Sequence, residues 1–64
     1  MLTNSKDIIR RLEKDGWVLR RINGSHHIYM HPTKPGRPNV PFPKKDLPLK
    51  TVLDIYKNAG WEKD

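Results

Sequence analysis

The segment that decides the fold runs from residue 17 to residue 31 and reads WVLRRINGSHHIYMH. Two runs rich in aromatic and β-branched residues flank Asn23-Gly24, and an Asn-Gly pair in this setting is a strong signal for a two-residue hairpin loop. The sequence therefore predicts two antiparallel strands, Trp17–Ile22 and Ser25–His31, joined by that loop.

The loop position also predicts which side chains share a face of the sheet. If the loop consists of Asn23-Gly24, Ile22 lies opposite Ser25 and the remaining pairs follow, with Arg21 opposite His26. On the expected core face, Arg21 and His26 lie at the turn-proximal end. The apolar residues of this face are Trp17, Leu19, Ile28 and Met30. The expected polar face carries Arg20, Ser25, His27, Tyr29 and His31. A one-residue bulge at Gly24 would change this pairing.

The residues before the hairpin predict an amphipathic helix. Asn4 or Ser5 can cap its start, and Gly16 ends it. Its apolar stripe lies opposite Arg10, Arg11 and Lys14 and consists of Ile8, Ile9 and Leu12. Such a stripe packs on a sheet face.

The residues after the hairpin include all six prolines, between His31 and Pro48. Pro35-Gly36 predicts a turn. Residues 39–42 predict a short strand at a sheet edge, because Pro41 cannot donate to a ladder. Pro48 suits the first turn of a second helix that Gly60 stops. This helix has apolar residues at helical spacing: Leu49, Val52, Leu53, Tyr56 and Ala59. Trp61, like Trp17, is expected in the core.

These elements predict an α+β domain of order α-β-β-β-α, with a three-stranded antiparallel sheet covered by two helices on one face. The chain has 64 residues, so we expect a single domain over residues 1–64.

The chain has no cysteine, which excludes disulfides and thiolate zinc sites. No apolar run approaches the ~20 residues of a membrane span, and the N-terminus lacks a signal-peptide core. We therefore expect a cytoplasmic protein that does not contact membranes.

The charge balance indicates a polyanionic partner. Thirteen Lys and Arg face seven Asp and Glu, giving a net charge of +6. Nucleic acid is the favoured partner, although a basic surface can also serve solubility alone.

The three histidines do not form a metal site in the predicted strands. His26 and His27 point to opposite faces, while His27 and His31 share a face but lie about 13 Å apart at ~3.3 Å per residue. Zinc ligands must converge within bonds of ~2 Å. We predict neither a metal nor a cofactor.

Imidazoles and cations without a metal suit cleavage of RNA, whose 2′-hydroxyl is an internal nucleophile. The candidate RNA-contacting residues are Arg20, Arg21, Gly24, Ser25, His26, His27, Lys44 and Lys45. The histidines and the lysine pair also have ordinary structural interpretations. A hairpin-end histidine is often just a hydrogen-bonded edge residue, His27 can simply belong to a polar strand face, and a lysine pair is often a solvated loop.

The order and spacing of short motifs over nearly the whole chain resemble the HicA toxin family. The motifs are Lys6-Asp7-Ile8-Ile9 with Leu12, Asp15-Gly16-Trp17, Gly24-Ser25-His26-His27, His31 to Gly36, Val40-Pro41, Pro43 to Pro48 and Ala59-Gly60. The resemblance implies a double-stranded-RNA-binding-like fold, cleavage of messenger RNA as a toxin, neutralisation by a HicB antitoxin, and His26 as the catalytic residue.

Two other functions remain open from the residues alone. A non-catalytic double-stranded-RNA-binding module would use the basic surface only to dock on phosphates. Such domains span ~16 base pairs, and the predicted helices are short for that reach. An inert partner-binding domain would leave the histidine and cation cluster without a role.

Overall fold

Two helices and three strands follow one another in the predicted order in the computed structural model, which describes all 64 residues. The elements are α1 Ser5–Lys14, β1 Val18–Asn23, β2 His26–Met30, β3 Asn39–Pro41 and α2 Leu49–Ala59. The strands form one antiparallel sheet of order β1-β2-β3. The predicted α+β class and α-β-β-β-α order are confirmed, and the architecture is that of a double-stranded-RNA-binding-like fold. Neither α1 nor α2 has the length and apolar composition of a membrane-spanning helix.

The helix ends follow local backbone chemistry. The Asn4 side chain accepts a hydrogen bond from the Lys6 amide at 2.9 Å, so Asn4, of the two candidates, caps α1. Gly16 and Gly60 adopt positive φ angles of 92° and 75°, which confirms both predicted helix stops. Pro48 immediately precedes α2 as its N-cap and does not belong to its first turn.

The hairpin register differs from the predicted one. The loop residues are Gly24 and Ser25, because Asn23 pairs with His26 across the strands. Gly24 has a φ of +64°, and no residue other than glycine has positive φ. A glycine at the first loop position matches a type II′ turn. The predicted Asn23-Gly24 loop is therefore wrong.

A second irregularity lies further along the hairpin. The register shifts between Leu19 and Arg21, so Arg20 is an extra, bulged residue in β1 and does not lie opposite His27 as predicted. The different loop residues and the bulge at Arg20 together change which β2 residues share a face with Leu19. Its partner is Tyr29, where the predicted partner was Ile28.

The predicted faces of β2 are consequently exchanged. Tyr29 lies in the core and is only 2% exposed, whereas Met30 is 39% exposed on the outer face. His27 and His31 alternate with Tyr29 and lie on the helix side, where a polar face was predicted. Arg21, His26 and Ile28 lie on the outer face, contrary to the prediction. A one-residue slip moves every side chain to the other face, and the large Tyr29 ring buries more apolar area than Met30 does.

The core lies between one sheet face and both helices. It consists of ten buried apolar residues: Ile8, Leu12, Trp17, Tyr29, Val40, Leu47, Val52, Ile55, Tyr56 and Ala59. Trp17 is buried as predicted, and half-buried Trp61 packs against this core. Because both helices and the buried side chains of β2 and β3 lie on the same side of the sheet, the opposite sheet face is left uncovered, as predicted.

The connection between β2 and β3 packs against α2. The chain bends at residues 32–33, and the turn predicted at Pro35-Gly36 is not formed. Gly36 is instead a point of close approach, since a Cβ there would lie 1.7 Å from the Asn58 carbonyl oxygen. The next amide, of Arg37, donates to the Asn58 side chain at 3.3 Å. Close backbone packing therefore explains this glycine.

One carboxylate joins four segments of the chain. Asp15 Oδ2 accepts hydrogen bonds from Lys34 Nζ at 2.9 Å, Trp61 Nε1 at 3.2 Å and Trp17 Nε1 at 3.3 Å. The bonds from Lys34 and then Trp61 hold the pKa of Asp15 below its ordinary value of 3.8. The ionised carboxylate therefore stabilises the folded chain.

The first prediction is that Asp15→Asn reduces stability at neutral pH and weakens the dependence of stability on acid. Because the folded-state pKa is the lower one, the stabilisation is present above pH 3.8 and is lost as the pH falls through the folded-state value. The side chain is partly exposed, so we expect a cost of about 1 kcal/mol or less at pH 7. Thermal unfolding at pH 7 and pH 3 measures both effects.

The control is Asp46→Asn, an exposed carboxylate. Some acid dependence should remain in the Asp15 variant, because a hydrogen bond from Tyr56 also lowers the pKa of Asp64. An Asp15 variant with the same melting temperatures as the parent at both pH values would show that this junction does not stabilise the fold.

Candidate active site

His26 lies on the uncovered sheet face at the end of the hairpin and is exposed. Its Nδ1 atom is 3.0 Å from Oδ1 of Asn39. A carbonyl oxygen can only accept, so Nδ1 carries the proton in this hydrogen bond. Nε2 then keeps a free lone pair and makes no hydrogen bond to the protein. The imidazole is thus held in the tautomer that can accept a proton from outside.

Arg21 is the cation on the same face as His26. It pairs with Ile28, while His26 pairs with Asn23, so the two are diagonal neighbours and not the directly opposed pair that was predicted. Diagonal positions are about 7–8 Å apart, within reach of a long side chain. Arg20 lies in the adjacent bulge and is exposed.

The hairpin tip is fastened to the end of β3. The Ser25 carbonyl accepts a hydrogen bond from the Phe42 amide at 2.7 Å. Gly24 and Ser25 are both exposed. The predicted tip residues are therefore accessible beside His26, and their backbone leads to the segment after β3.

His27 belongs to a different surface from His26. It lies on the helix side of the sheet, and its ring packs against Phe42 with centroids 5.0 Å apart. It lines a cleft together with Lys6 and Arg10 of α1. The two consecutive histidines therefore cannot act on one atom from the same face.

The lysine pair also lies on the helix side. The Lys44 amide donates to Ser5 Oγ, and the Ser5 amide donates to the Lys44 carbonyl, both at 2.9 Å. These bonds hold the loop against the start of α1. The exposed Lys44 and Lys45 line a cleft with Lys6 that does not include His26.

His31 has both ring nitrogens occupied by the protein. Nδ1 accepts hydrogen bonds from the Thr33 and Lys34 amides at 3.1 and 3.3 Å. Nε2 is 3.0 Å from the Asp15 carbonyl, to which it donates. The ring also meets Trp17 edge-on at 5.1 Å. His31 is thus a structural residue that braces the β2–β3 connection.

The eight predicted site residues therefore form two groups. Arg21 and His26 share the open face, with exposed Arg20 beside them in the bulge, while His27, Lys44 and Lys45 lie on the helix side; Gly24 and Ser25 connect the groups at the tip. Asn39 and Phe42 were missed. Phe42, the only phenylalanine, follows a predicted edge strand and could have been singled out. Asn39 could not, since its contact depends on the β2–β3 pairing.

Comparison with known families supports the resemblance seen in the motifs. A model of the HicA toxin of bacterial toxin–antitoxin systems matches residues 5–61. The chain belongs to the HicA toxin family. No curated protein matches the sequence of this HicA-family chain. The matched range includes both groups of candidate residues, so the family assignment covers the whole candidate site.

The second prediction concerns the tautomer of His26, which ¹⁵N chemical shifts of the imidazole report directly. The protonated nitrogen should be Nδ1 in the parent, and Asn39→Ala should convert the ring to a mixture of tautomers because the acceptor is gone. His31 is an internal control, since two backbone amides hold its Nδ1 unprotonated in both proteins. A His26 ring protonated on Nε2 in the parent would contradict this geometry.

Proposed function

We propose that this HicA-family chain is an endoribonuclease that cleaves messenger RNA, with His26 as its general base. The observation that supports this most directly is the exposed His26 ring, whose Nδ1 is bonded to Asn39 and whose Nε2 is free. General bases need an accessible lone pair and a proton affinity close to the working pH, and imidazole has both.

The proposed reaction uses the nucleophile that RNA carries. His26 Nε2 takes the proton of a 2′-hydroxyl, and the 2′-oxygen attacks the adjacent phosphorus. The bond from phosphorus to the 5′-oxygen breaks, and that oxygen takes a proton from solvent. The products are a 2′,3′-cyclic phosphate and a 5′-hydroxyl. DNA is not a substrate because it lacks the 2′-hydroxyl.

Arg21 supplies positive charge on the same face. Negative charge grows on the phosphoryl oxygens as the 2′-oxygen attacks, and a nearby guanidinium stabilises it. Asn39 acts through His26 by holding the ring, and is a positioning residue. The mechanism assigns no step to a metal ion, because RNA supplies its own nucleophile and the Arg21 guanidinium stabilises the negative charge on the phosphoryl oxygens.

The third prediction is that His26→Ala lowers the rate of RNA cleavage by about 10²–10⁴-fold, the usual contribution of a general base. The side chain is exposed, so circular dichroism should show a folded protein. Ile22→Ala is the matched control, since it removes an exposed hairpin side chain from the opposite face. The assay is cleavage of a labelled messenger RNA, with the ends identified by mass spectrometry.

Further arms of the same assay test the chemistry. Cleavage should continue in excess chelator, and a 2′-methoxy group at the cut site should stop it. Unchanged cleavage by the His26 variant would place the active site elsewhere, and an unfolded variant would give His26 a structural role. RNA binding by the parent chain without any cleavage would favour the non-catalytic double-stranded-RNA-binding module.

We also propose that a HicB-like antitoxin, the partner that the family implies, covers the open sheet face. This face exposes apolar side chains at the end of the hairpin away from His26: Val18 is 54% and Met30 39% exposed. An acidic partner would complement the net charge of +6 and stabilise the fold by binding only the native state. Covering this face would also keep RNA from His26.

The fourth prediction is that the antitoxin protects β1 and β2 in hydrogen-exchange experiments on the co-expressed complex and inhibits RNA cleavage. Met30→Glu should weaken the complex because it places a charge in an apolar contact. Leu49→Glu, at an exposed apolar residue on α2, is the matched control. A complex that protects only α1 and still cleaves RNA would contradict inhibition by occlusion.

A further inference from the structure

Two neighbouring clefts lie beside α1 and share two of their lining residues. The first, of about 610 Å³, lies between the start of α1 and the Lys44–Lys45 loop. The second, of about 340 Å³, runs along α1 to His27. Both are lined by Lys6 and Phe42. We call the two adjoining clefts together the α1 groove. It lies on the helix side of the sheet, so it is separate from the face that carries His26.

The α1 groove is lined by cations that have no partner in the protein. Lys6, Arg10, Lys44 and Lys45 are all exposed. None of them takes part in an ion pair, since the side-chain pairs of this chain join Arg11 to Asp64 and Lys34 to Asp15. A single acid, Glu13, lines the groove, in its second cleft. The lining is therefore strongly positive, which suits a chain of phosphates.

An aromatic side chain lies where the two clefts meet. Phe42 is half-buried and rests against the His27 ring at 5.0 Å with a tilt of 55°. Packing against His27 restrains the ring, and part of it stays accessible to the groove. A cationic groove with an aromatic platform is the arrangement that binds single-stranded nucleic acid, because any unpaired base can stack on the ring.

We propose that the α1 groove binds a single-stranded segment of RNA next to the cleavage point, with Phe42 stacking on one base and Lys6 contacting the backbone. The inference rests on the proposed RNA substrate and adds a strand class and residues to it. A paired duplex hides the faces of its bases from side chains, so the stacking platform selects unpaired RNA.

The hairpin tip connects the α1 groove to His26. The hydrogen bond between the Phe42 amide and the Ser25 carbonyl, 2.7 Å long, holds the platform beside the tip. His27, which supports Phe42, is next to His26 in β2. A strand bound at Phe42 therefore lies beside the exposed Gly24-Ser25 tip, the shortest way from the α1 groove to the open face.

The experiment measures RNA binding without cleavage, in the His26→Ala chain, by fluorescence anisotropy. The probes are a labelled single-stranded RNA and the duplex of the same sequence. Phe42→Leu should weaken single-strand binding about tenfold, as expected for loss of one stacked base. Lys6→Gln should weaken it and lower the salt dependence by about 0.7 of an ion. Lys50→Gln, an exposed lysine of α2, is the matched control.

Four outcomes would contradict the proposal that the α1 groove binds single-stranded RNA. Two concern strand class: Phe42→Leu binds single-stranded RNA as tightly as its parent, or the groove variants lose as much affinity for the duplex as for the single strand. The other two are a Lys6 variant that binds like the Lys50 control, and groove variants that lose only antitoxin binding. Lys6 is exposed, so its variant decides the matter if Phe42→Leu fails to fold. If the parent chain cleaves RNA through His26 while the groove variants bind RNA normally, only the groove proposal is wrong. If the groove binds RNA but the parent chain never cleaves it, only the proposed ribonuclease function is wrong.

Discussion

The pairing of Asn23 with His26 is the constraint on which the rest of the structure depends. It places Gly24-Ser25 in the loop, and together with the bulge at Arg20 it decides the face of every residue in β2. Tyr29 thereby enters the core, and His26 is left on the open face. Because neighbouring residues of a strand point to opposite faces, the same pairing commits His27 to the helix side.

The two histidines therefore belong to two surfaces with different proposed functions. On the open face, the Asn39 side chain holds one nitrogen of His26 and leaves the other free. On the helix side, His27 supports Phe42, and Lys6 of α1 lies along the same groove as the two loop lysines. The tip joins the two surfaces through one backbone hydrogen bond. A small sheet can therefore carry a proposed proton acceptor on one face and a proposed RNA-binding groove on the other, and neither has to be buried in the core.

Several features of the fold and site were predictable from local chemistry. The ends of both helices follow from Gly16 and Gly60, since glycine adopts positive φ readily, and the edge position of β3 follows from Pro41. His26 was identified through the Gly24-Ser25-His26 motif and the family resemblance, and its role stays a proposal. The faces of Tyr29 and His27 were predicted wrongly, because Asn23-Gly24 and Gly24-Ser25 are both plausible two-residue loops and differ by one residue.

By itself, the sequence determined the class and order of the elements, the positive charge and the family, because these depend on composition, spacing and backbone preferences within a few residues. Only the tertiary structure decided the register, the contact between Asn39 and His26, and the closeness of Gly36 to the Asn58 carbonyl. The physical reason is that each of these depends on a contact between residues distant in sequence. The burial of Tyr29 in the core and the match of Gly24 to a type II′ turn favour one strand pairing over the pairing shifted by one residue. No local sequence pattern distinguishes the two pairings.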